Sequence, residues 1–329
     1  MRNVGTLAVR RIGAVALGLV LVAGLAAPVA RADDYPARSI RVVVGFGPGS
    51  VADIIMRVLA TRMSQTLGQQ LVVENRPGAG SSIAAEYVAR SPKDGYTLFM
   101  CTVAQAINPA VSKLNFDFGK DLAPIMLVAN APQILVAHPS LPANNMRELI
   151  ALAKSKPDEI QYASSGVGTL SHLSGVLLDN KAGIKLMQVP YPGSAQGMND
   201  VLAGRVPLMF GPASTVLSNV RAGKLKALAV TQTKRAAVAP DVPTMEEAGI
   251  SDYSAGIWMG LLAPSGTSAE IVNKLSRAAN EALQSKEVQT TLHAQGVDSL
   301  GGTPAAFAQF IGQELKKWDG VAKTAGIKK

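Results

Sequence analysis

The chain is poor in the residues from which most catalytic and redox sites are built. Of its 329 residues only one, Cys101, is a cysteine, and three are histidines. A lone cysteine closes no internal disulfide, so stability rests on packing. Cys101 sits in an apolar run and reads as a buried, inert thiol. His138, His172 and His293 lie far apart without ligand spacing, which argues against a histidine metal site, and nothing else in the sequence calls for a cofactor. Aromatic residues make up 5% of the chain, and basic runs interleaved with them are missing, so nucleic acid is a poor partner. The Gly-x-Ser-x-Gly elbow of serine hydrolases is absent. Gly45, Gly47 and Gly49 recur every second residue, which is not the dinucleotide fingerprint, and no Lys-Ser or Lys-Thr follows them as in a Walker loop. Past about residue 27, no apolar run approaches the ~20 residues a membrane helix needs.

What is present begins with an export signal. Arg2, Arg10 and Arg11 make a basic start, an apolar stretch follows from Ile12 to about Ala27, and Ala30-Arg31-Ala32 offers small residues where a signal peptidase reads. We expect residues 1–32 to be a signal peptide cleaved after Ala32, with Asp33 the mature N-terminus and the periplasm the destination. An uncleaved anchor is the alternative; the apolar stretch is short for it. The residues around Arg10-Arg11 fit a twin-arginine signal poorly, and no cysteine follows as in a lipoprotein. Removing 32 residues from 329 leaves 297, more than one core usually organises, which points to two domains. The leader carries four arginines and no acids, so the net charge of +9 falls to about +5 in the mature chain, a mildly basic balance that suits an anionic ligand.

The mature region repeats strand, loop and helix. Ile40 to Phe46 reads as a strand and Ala52 to Leu67 as a helix stopped by Gly68; Leu71 to Glu74 and Tyr96 to Cys101 are further strands. The pattern restarts after Pro132 with strands at Gln133 to Ala137, Gln161 to Ser164, Leu186 to Val189, Val206 to Phe210 and Leu225 to Thr231. It closes with a strand at Trp258 to Ala263 and two amphipathic helices, about Ser268 to Ser285 and Pro304 to Thr324. Apolar strands alternating with helices indicate parallel sheets covered on both faces. Trp258 and Met259 read as core, and Lys316 and Lys317 beside Trp318 as a solvated helix face.

Two glycine- and serine-rich loops stand out, each between a strand and a helix. The first is Phe46-Gly47-Pro48-Gly49-Ser50-Val51-Ala52-Asp53, the second Ser164-Ser165-Gly166-Val167-Gly168-Thr169. A helix start presents unpaired N–H groups and the positive end of its dipole, and a glycine-rich approach lets an anion reach them. One such loop is an ordinary tight turn as readily as a binding device. Two, from the two halves of one chain, could pinch a carboxylate. Neither contains Lys or Arg, so neutral donors would have to hold the charge. Ser50 and Asp53 flank the first helix start and could cap it. His172 lies in the first turn of the second helix, where it lines a site or braces the helix. Phe46 and Tyr191 could close over a ligand or simply half-bury at strand ends.

In sequence order, Phe46-Gly47-Pro48-Gly49 with Asp53, Asn75-Arg76-Pro77-Gly78-Ala79-Gly80, Asp94-Gly95-Tyr96-Thr97, Ile107-Asn108-Pro109, Ser164-Ser165-Gly166 with His172, Val189-Pro190-Tyr191, Asp241-Val242-Pro243-Thr244 and Glu247-Ala248-Gly249 resemble the Bug-type solute receptors of tripartite tricarboxylate transport systems. The series spans nearly all of the mature chain. The resemblance implies a class II periplasmic binding protein: two doubly wound α/β domains with a hinge and a ligand cleft between them, domain 1 being residues 33–132 plus 253–329 and domain 2 residues 133–252. It implies a non-enzymatic receptor that holds a small carboxylate and hands it to an inner-membrane tripartite permease, and we expect it to act as a monomer. Carried over by motif, the ligand positions are Phe46, Gly47, Gly49, Ser50 and Asp53 with Ser164, Ser165, Gly168, Thr169 and His172. Tyr191 and Gly193 fall on a third loop, and Ser82, after Ser81, on the edge of the cleft. The chain departs from the family pattern at Ser50, Pro192 and Val103-Ala104-Gln105, which leaves the carboxylate grip intact and bears on the rest of the pocket.

Two other readings stand beside this one. A receptor of the same kind could serve a membrane sensor kinase instead of a permease. A secreted hydrolase could use Ser164 or Ser165 with His172, but that needs serine and histidine in hydrogen-bond contact and an orienting acid.

Overall fold

The structure is a computed structural model in which residues 35–327 are described; the expected signal peptide lies outside them. Residues Arg38–Lys329 form one compact unit, and Met1–Ala37 another, of which only residues 35–37 are described. Along the chain the elements are β1 (Ile40–Val44), α1 (Val51–Leu67), β2 (Leu71–Asn75), a short 3-10 turn (Ala79–Ser81), α2 (Ser82–Ala89), β3 (Thr97–Thr102), α3 (Ala104–Val111), β4 (Leu122–Ala131), β5 (Gln133–Ala137), α4 (Met146–Ser155) and β6 (Gln161–Ser164). They continue with α5 (Leu170–Ala182), β7 (Met187–Pro190), α6 (Ser194–Leu202), β8 (Leu208–Pro212), α7 (Ala213–Arg221), β9 (Lys226–Val230), β10 (Ile257–Pro264), α8 (Ala269–Gln284), α9 (Lys286–Ala294), β11 (Asp298–Ser299) and α10 (Pro304–Thr324).

These strands make two sheets. The first has the order β11-β4-β10-β3-β1-β2, the second β7-β6-β8-β5-β9. The fold is thus α/β, of the class II binding-protein type with two doubly wound halves. The sheets are mixed rather than parallel throughout. In the first, β1 runs parallel to β2 and β3, but β10 is antiparallel to β3 and β4. In the second, β6 is parallel to β7 and β8, but β5 is antiparallel to β8 and β9. The reversals have a simple cause. The chain leaves the first sheet along β4 and enters the second along β5 with only Pro132 between, and it returns along β10; a strand that arrives from the other sheet enters against the local direction. Thr231 links the crossings: its N–H donates to the Gln133 carbonyl (2.9 Å), and its hydroxyl lies within reach of the carbonyls of Gln133 (3.0 Å) and Ala255 (2.8 Å).

Burial accounts for the strand sequences. In β3 and β5 nearly every side chain is buried, as expected of strands covered on both faces. A core of side chains including Val43, Phe99, Leu135, Tyr162 and Phe210 runs through both sheets. The helix α10 packs on α3, β4 and α5 and so touches elements of both. Its Trp318 is fully buried, and the Lys317 ammonium donates to the Ser254 carbonyl at 2.9 Å and pairs with Glu314. The solvated face expected around Lys317 and Trp318 is therefore an inner face, where burial pushes the Lys317 pKa down against the pull of Glu314. Cys101 is fully buried, and burial holds its thiol protonated.

Candidate functional site

The C-terminal ends of β1, β3, β6 and β8 open onto one cleft between the sheets, with a volume of about 390 Å³. This is where open α/β sheets place ligands, because helix starts follow those strand ends. The cleft is bordered by the first turns of α1, α5 and α7 and by β10. Among the described residues that line it there is no Asp, Glu, Lys, Arg or His.

The two glycine loops are built alike. Ser50 has extended backbone and caps α1, its Oγ accepting the N–H of Asp53 at 3.4 Å; Thr169 does the same for α5, its Oγ1 accepting the N–H of His172 at 3.5 Å. The next N–H groups, Ile54 and Leu173, bond to the cap carbonyls. That arithmetic leaves the N–H groups of Val51 and Ala52 in one loop, and of Leu170 and Ser171 in the other, without a protein acceptor. All four residues line the cleft.

Each loop is held by buried polar contacts behind it. Asp53 is 2% exposed and accepts the Gly49 N–H (2.9 Å), Asn75 Nδ2 (2.9 Å) and the Arg57 guanidinium (3.0 Å). Asn75 also donates to the Phe46 carbonyl at 2.9 Å and accepts from Arg57 Nη2 at 2.9 Å. Burial alone would raise the Asp53 pKa; the bonds from Arg57, Gly49 and Asn75 outweigh it and hold the carboxyl below the usual range. Gly49 has φ 80°, so its N–H turns back to Asp53 at no steric cost. Behind Gly45, Ser81 sits so close that a Cβ at Gly45 would fall 1.6 Å from Ser81 Oγ.

The second loop is stitched by hydroxyls. Ser171 Oγ accepts the Ser165 N–H at 3.0 Å and lies 3.0 Å from Ser165 Oγ and 3.1 Å from Thr169 Oγ1. Thr169 Oγ1 also donates to the Gly166 carbonyl at 2.7 Å. His172 is buried, and its Nδ1 accepts the Gly168 N–H at 3.0 Å, so the proton of the neutral ring is on Nε2. Burial lowers its pKa. Ser164 Oγ accepts from Gln188 Nε2 at 2.7 Å. The serine hydroxyls are thus engaged with one another and with Gln188, and the Nδ1 face of His172 with the backbone.

The expected site residues separate into four groups. Phe46, Ser50 and Ser165 line the main cleft. Asp53, Ser164 and His172 stand behind the loops, while Gly47 and Gly49 shape the first of them. Ser82, Gly168 and Thr169 border a second groove of about 430 Å³ with Asn108, whose Nδ2 donates to Ser82 Oγ at 2.8 Å. Tyr191 and Gly193 lie on the loop after β7, where the Tyr191 hydroxyl donates to Asp200 at 2.7 Å. Gly193 has extended backbone, and a Cβ there would meet nothing.

The sequence reading missed Ser171, Thr102, Phe210, Ser214 and Gln133, all on the cleft, and took Met259 as core only. Ser171 was within reach of that reading: once Thr169 is the cap, the second residue of the helix must carry an unpaired N–H. Phe210 and Met259 carry no such signal, since an apolar residue at a strand end reads the same facing a core or a cleft. Among the described residues, no cluster of His, Cys, Asp and Glu could hold a metal ion.

Comparison with known proteins places this geometry. Residues 55–327 match the family model described as "Tripartite tricarboxylate transporter family receptor". The chain is 37% identical over 312 residues to the protein BugT of Bordetella pertussis, covering 94% of this chain and 95% of that one. Among solved structures it is similar to Rpa4515 of R. palustris with adipate (34% identity, TM-score 0.74, covering 89% of this chain and 99% of that one). It is also similar to MatC of Rhodopseudomonas palustris with bound malate (32% identity, TM-score 0.71, covering 88% and 100%). The capped twin loops, the uncharged cleft and these matches together make the chain a member of the tripartite tricarboxylate transporter receptor family.

Proposed function

We propose that this protein is an exported periplasmic receptor that captures a small organic carboxylate in the cleft and presents it to an inner-membrane tripartite permease. Its two halves, residues 33–132 with 253–329 and residues 133–252, act as hinged domains of a monomer that closes on the ligand. One observation carries the reading: two capped helix starts, one from each half, turn four unpaired N–H groups toward one cleft, and no side chain there carries a charge. A carboxylate accepts such bonds, and each charge-assisted bond contributes roughly 1.5–3 kcal/mol. The hydroxyls of Ser165 and Ser171 supplement them. Asp53 and His172 act indirectly, by fixing the loops. A ligand that touches both halves favours the closed form by its differential affinity. The relatives seen with adipate and with malate support the choice of a carboxylate.

The test is mass spectrometry of small molecules released from protein purified from the periplasm, followed by calorimetry with the acid found and with its amide. Binding of the acid and loss of binding with the amide are expected. Equal binding of both would refute the carboxylate grip, and a retained leader would refute export.

A further inference from the structure

Beyond the two loops, the cleft wall carries uncharged polar side chains: Thr102, Gln133, Ser194, Ser214, Thr215 and Gln295. Ser214 and Thr215 are exposed, and Ser194 and Gln295 are half-buried, so water competes for whatever they bind. Gln133 and Thr102 differ. They are 2% and 7% exposed, and they come from opposite halves, Gln133 as the first residue of β5 and Thr102 as the last of β3. Strand β10 brings them to one wall. Its Met259 faces Thr102, its Ile257 faces Ala131 two residues before Gln133, and both of these β10 residues line the cleft.

Each of the two keeps a donor in reserve. Gln133 Oε1 lies 2.8 Å from the Oγ of buried Ser174. The same hydroxyl lies 2.7 Å from the Leu170 carbonyl, but that carbonyl already takes the backbone N–H of Ser174 within α5, so the hydroxyl proton is free for Gln133. This bond holds Oε1 back and turns Nε2 outward. Nε2 finds no acceptor among the described residues, yet it is not sealed in; the sealed side-chain atoms without a partner are Ser81 Oγ and Gln232 Nε2. It opens on the cleft that Gln133 lines. Thr102 Oγ1 accepts the Ala104 N–H at 3.3 Å and donates to no described residue, so its proton is unspent too. Donors this deep normally have an acceptor, and here the ligand can supply it. Ser174 lies one turn, about 6 Å, along α5 from Leu170, whose N–H faces the cleft. The pair is therefore placed for a second group of the ligand, a short chain away from the gripped carboxylate.

We infer that Gln133 and Thr102 bind a second carboxylate of the ligand, and that Gln133 is the residue that decides between acids with and without one. Ser174 is a positioning residue that acts through the Gln133 amide. The inference rests on the carboxylate reading above and adds how the cleft tells one acid from another. The test is calorimetry on the purified mature protein, freed of co-purified ligand by unfolding and refolding. Two matched pairs serve as probes, succinate against butyrate and adipate against hexanoate; each pair shares a chain length and differs in one carboxylate. The wild type should bind the dicarboxylate at least about tenfold tighter in one pair or both. Gln133→Met keeps the length of the side chain and leaves the Ser174 proton to the Leu170 carbonyl. It should cut that ratio to about threefold or less while the monocarboxylate binds as before. Ser174→Ala and Thr102→Val should each cut the ratio partway. A merely structural defect would weaken both acids of a pair alike. Equal binding within both pairs by the wild type would overturn the inference. So would a ratio unchanged in Gln133→Met, which would put the second carboxylate on the exposed start of α7. The ω-amino analogue of hexanoate binding tighter than adipate would show the Gln133 carbonyl turned to the cleft and overturn it as well. Failure of all four acids to bind would instead overturn the carboxylate grip itself.

Discussion

Asp53→Ala tests the claim that the first loop is held from behind. In the folded protein the carboxylate accepts one backbone N–H, one amide N–H and the Arg57 guanidinium, all at 2.9–3.0 Å. Its side chain is 3% exposed, whereas that of Arg57 is 51% exposed. Breaking a buried, bonded charge pair costs about 3–5 kcal/mol, and the exposure of Arg57 discounts its share, since the freed guanidinium returns to water. The Gly49 N–H and the Asn75 amide lose their acceptor at about 1–3 kcal/mol, part of which is recovered because Asp53 no longer has to be desolvated. The balance is a loss of about 3 kcal/mol, or roughly 5 °C in Tm for a protein of this size. Affinity should fall about tenfold as well, because Phe46 and Gly49 lose their anchor while the cap at Ser50 remains. The pH dependence supplies a further check. The folded pKa is depressed, so the stabilisation is complete above the unfolded value of about 4 and disappears as pH falls through the folded value. Melting curves of wild type and variant should therefore lie apart at neutral pH and converge in acid. A Tm within about 1 °C of wild type at pH 7, or a gap that does not narrow as pH falls below about 4, would refute the reasoning.

Other substitutions separate roles within the site. Thr169→Ala removes the α5 cap and should cost about 1 kcal/mol of stability, whereas Ser165→Ala, whose hydroxyl touches only Ser171 Oγ, should leave Tm nearly unchanged and weaken carboxylate binding about tenfold; calorimetry beside melting curves distinguishes them. Asp179 is pushed up to about 7, chiefly by burial, while it accepts the Leu186 N–H at 3.1 Å. Its folded form holds a proton that the unfolded chain has lost, so it destabilises progressively as pH rises from about 4 through 7. Asp179→Asn should accordingly be stabilising by on the order of 1 kcal/mol at pH 8 and nearly neutral at pH 4 in denaturant titrations. Gly45→Ala drives a methyl into Ser81 and should be severely destabilising; Ser81→Gly should restore much of that loss and not destabilise by itself, because Ser81 has φ 71° and a buried Oγ without a partner.

Much of this was legible in the residues, and the failures have definite causes. The second half's strands and both glycine loops could be read because apolar runs ended at glycine, proline or a capping residue. The ten-residue β4 went unread because Pro124 interrupts its pattern; in the folded chain Pro124 faces Leu262 of β10 beside a shift in register, where the missing N–H is tolerated. The reversed direction of β5 and β10 was not legible, since strand patterns carry no direction and only the crossings set it. Within the site, caps and glycines announced the helix starts. Local patterns could not show that the Gly168 and Ser165 N–H groups would be taken by His172 and Ser171, which leaves Val51, Ala52, Leu170 and Ser171 as the donors that face the cleft. That outcome depends on which side chains fold back onto their own loop.

The shared acceptor at Glu314 has an optical consequence. Its Oε2 takes the indole N–H of Trp258 at 2.8 Å and of Trp318 at 2.9 Å, and both rings are buried. These are the only tryptophans in the chain. Trp258 is flanked by Ile257 and Met259, whose side chains line the cleft. Because side chains alternate along a strand, the Trp258 indole points away from the cleft and packs on Phe307 and Phe310 of α10, one residue from the cleft wall on either side, and a single carboxylate couples its surroundings to those of Trp318. The native emission should be blue, and a ligand that shifts β10 would alter both fluorophores through one oxygen. Unlabelled protein thus carries its own spectroscopic reporter, and Phe can replace either tryptophan to assign the signal.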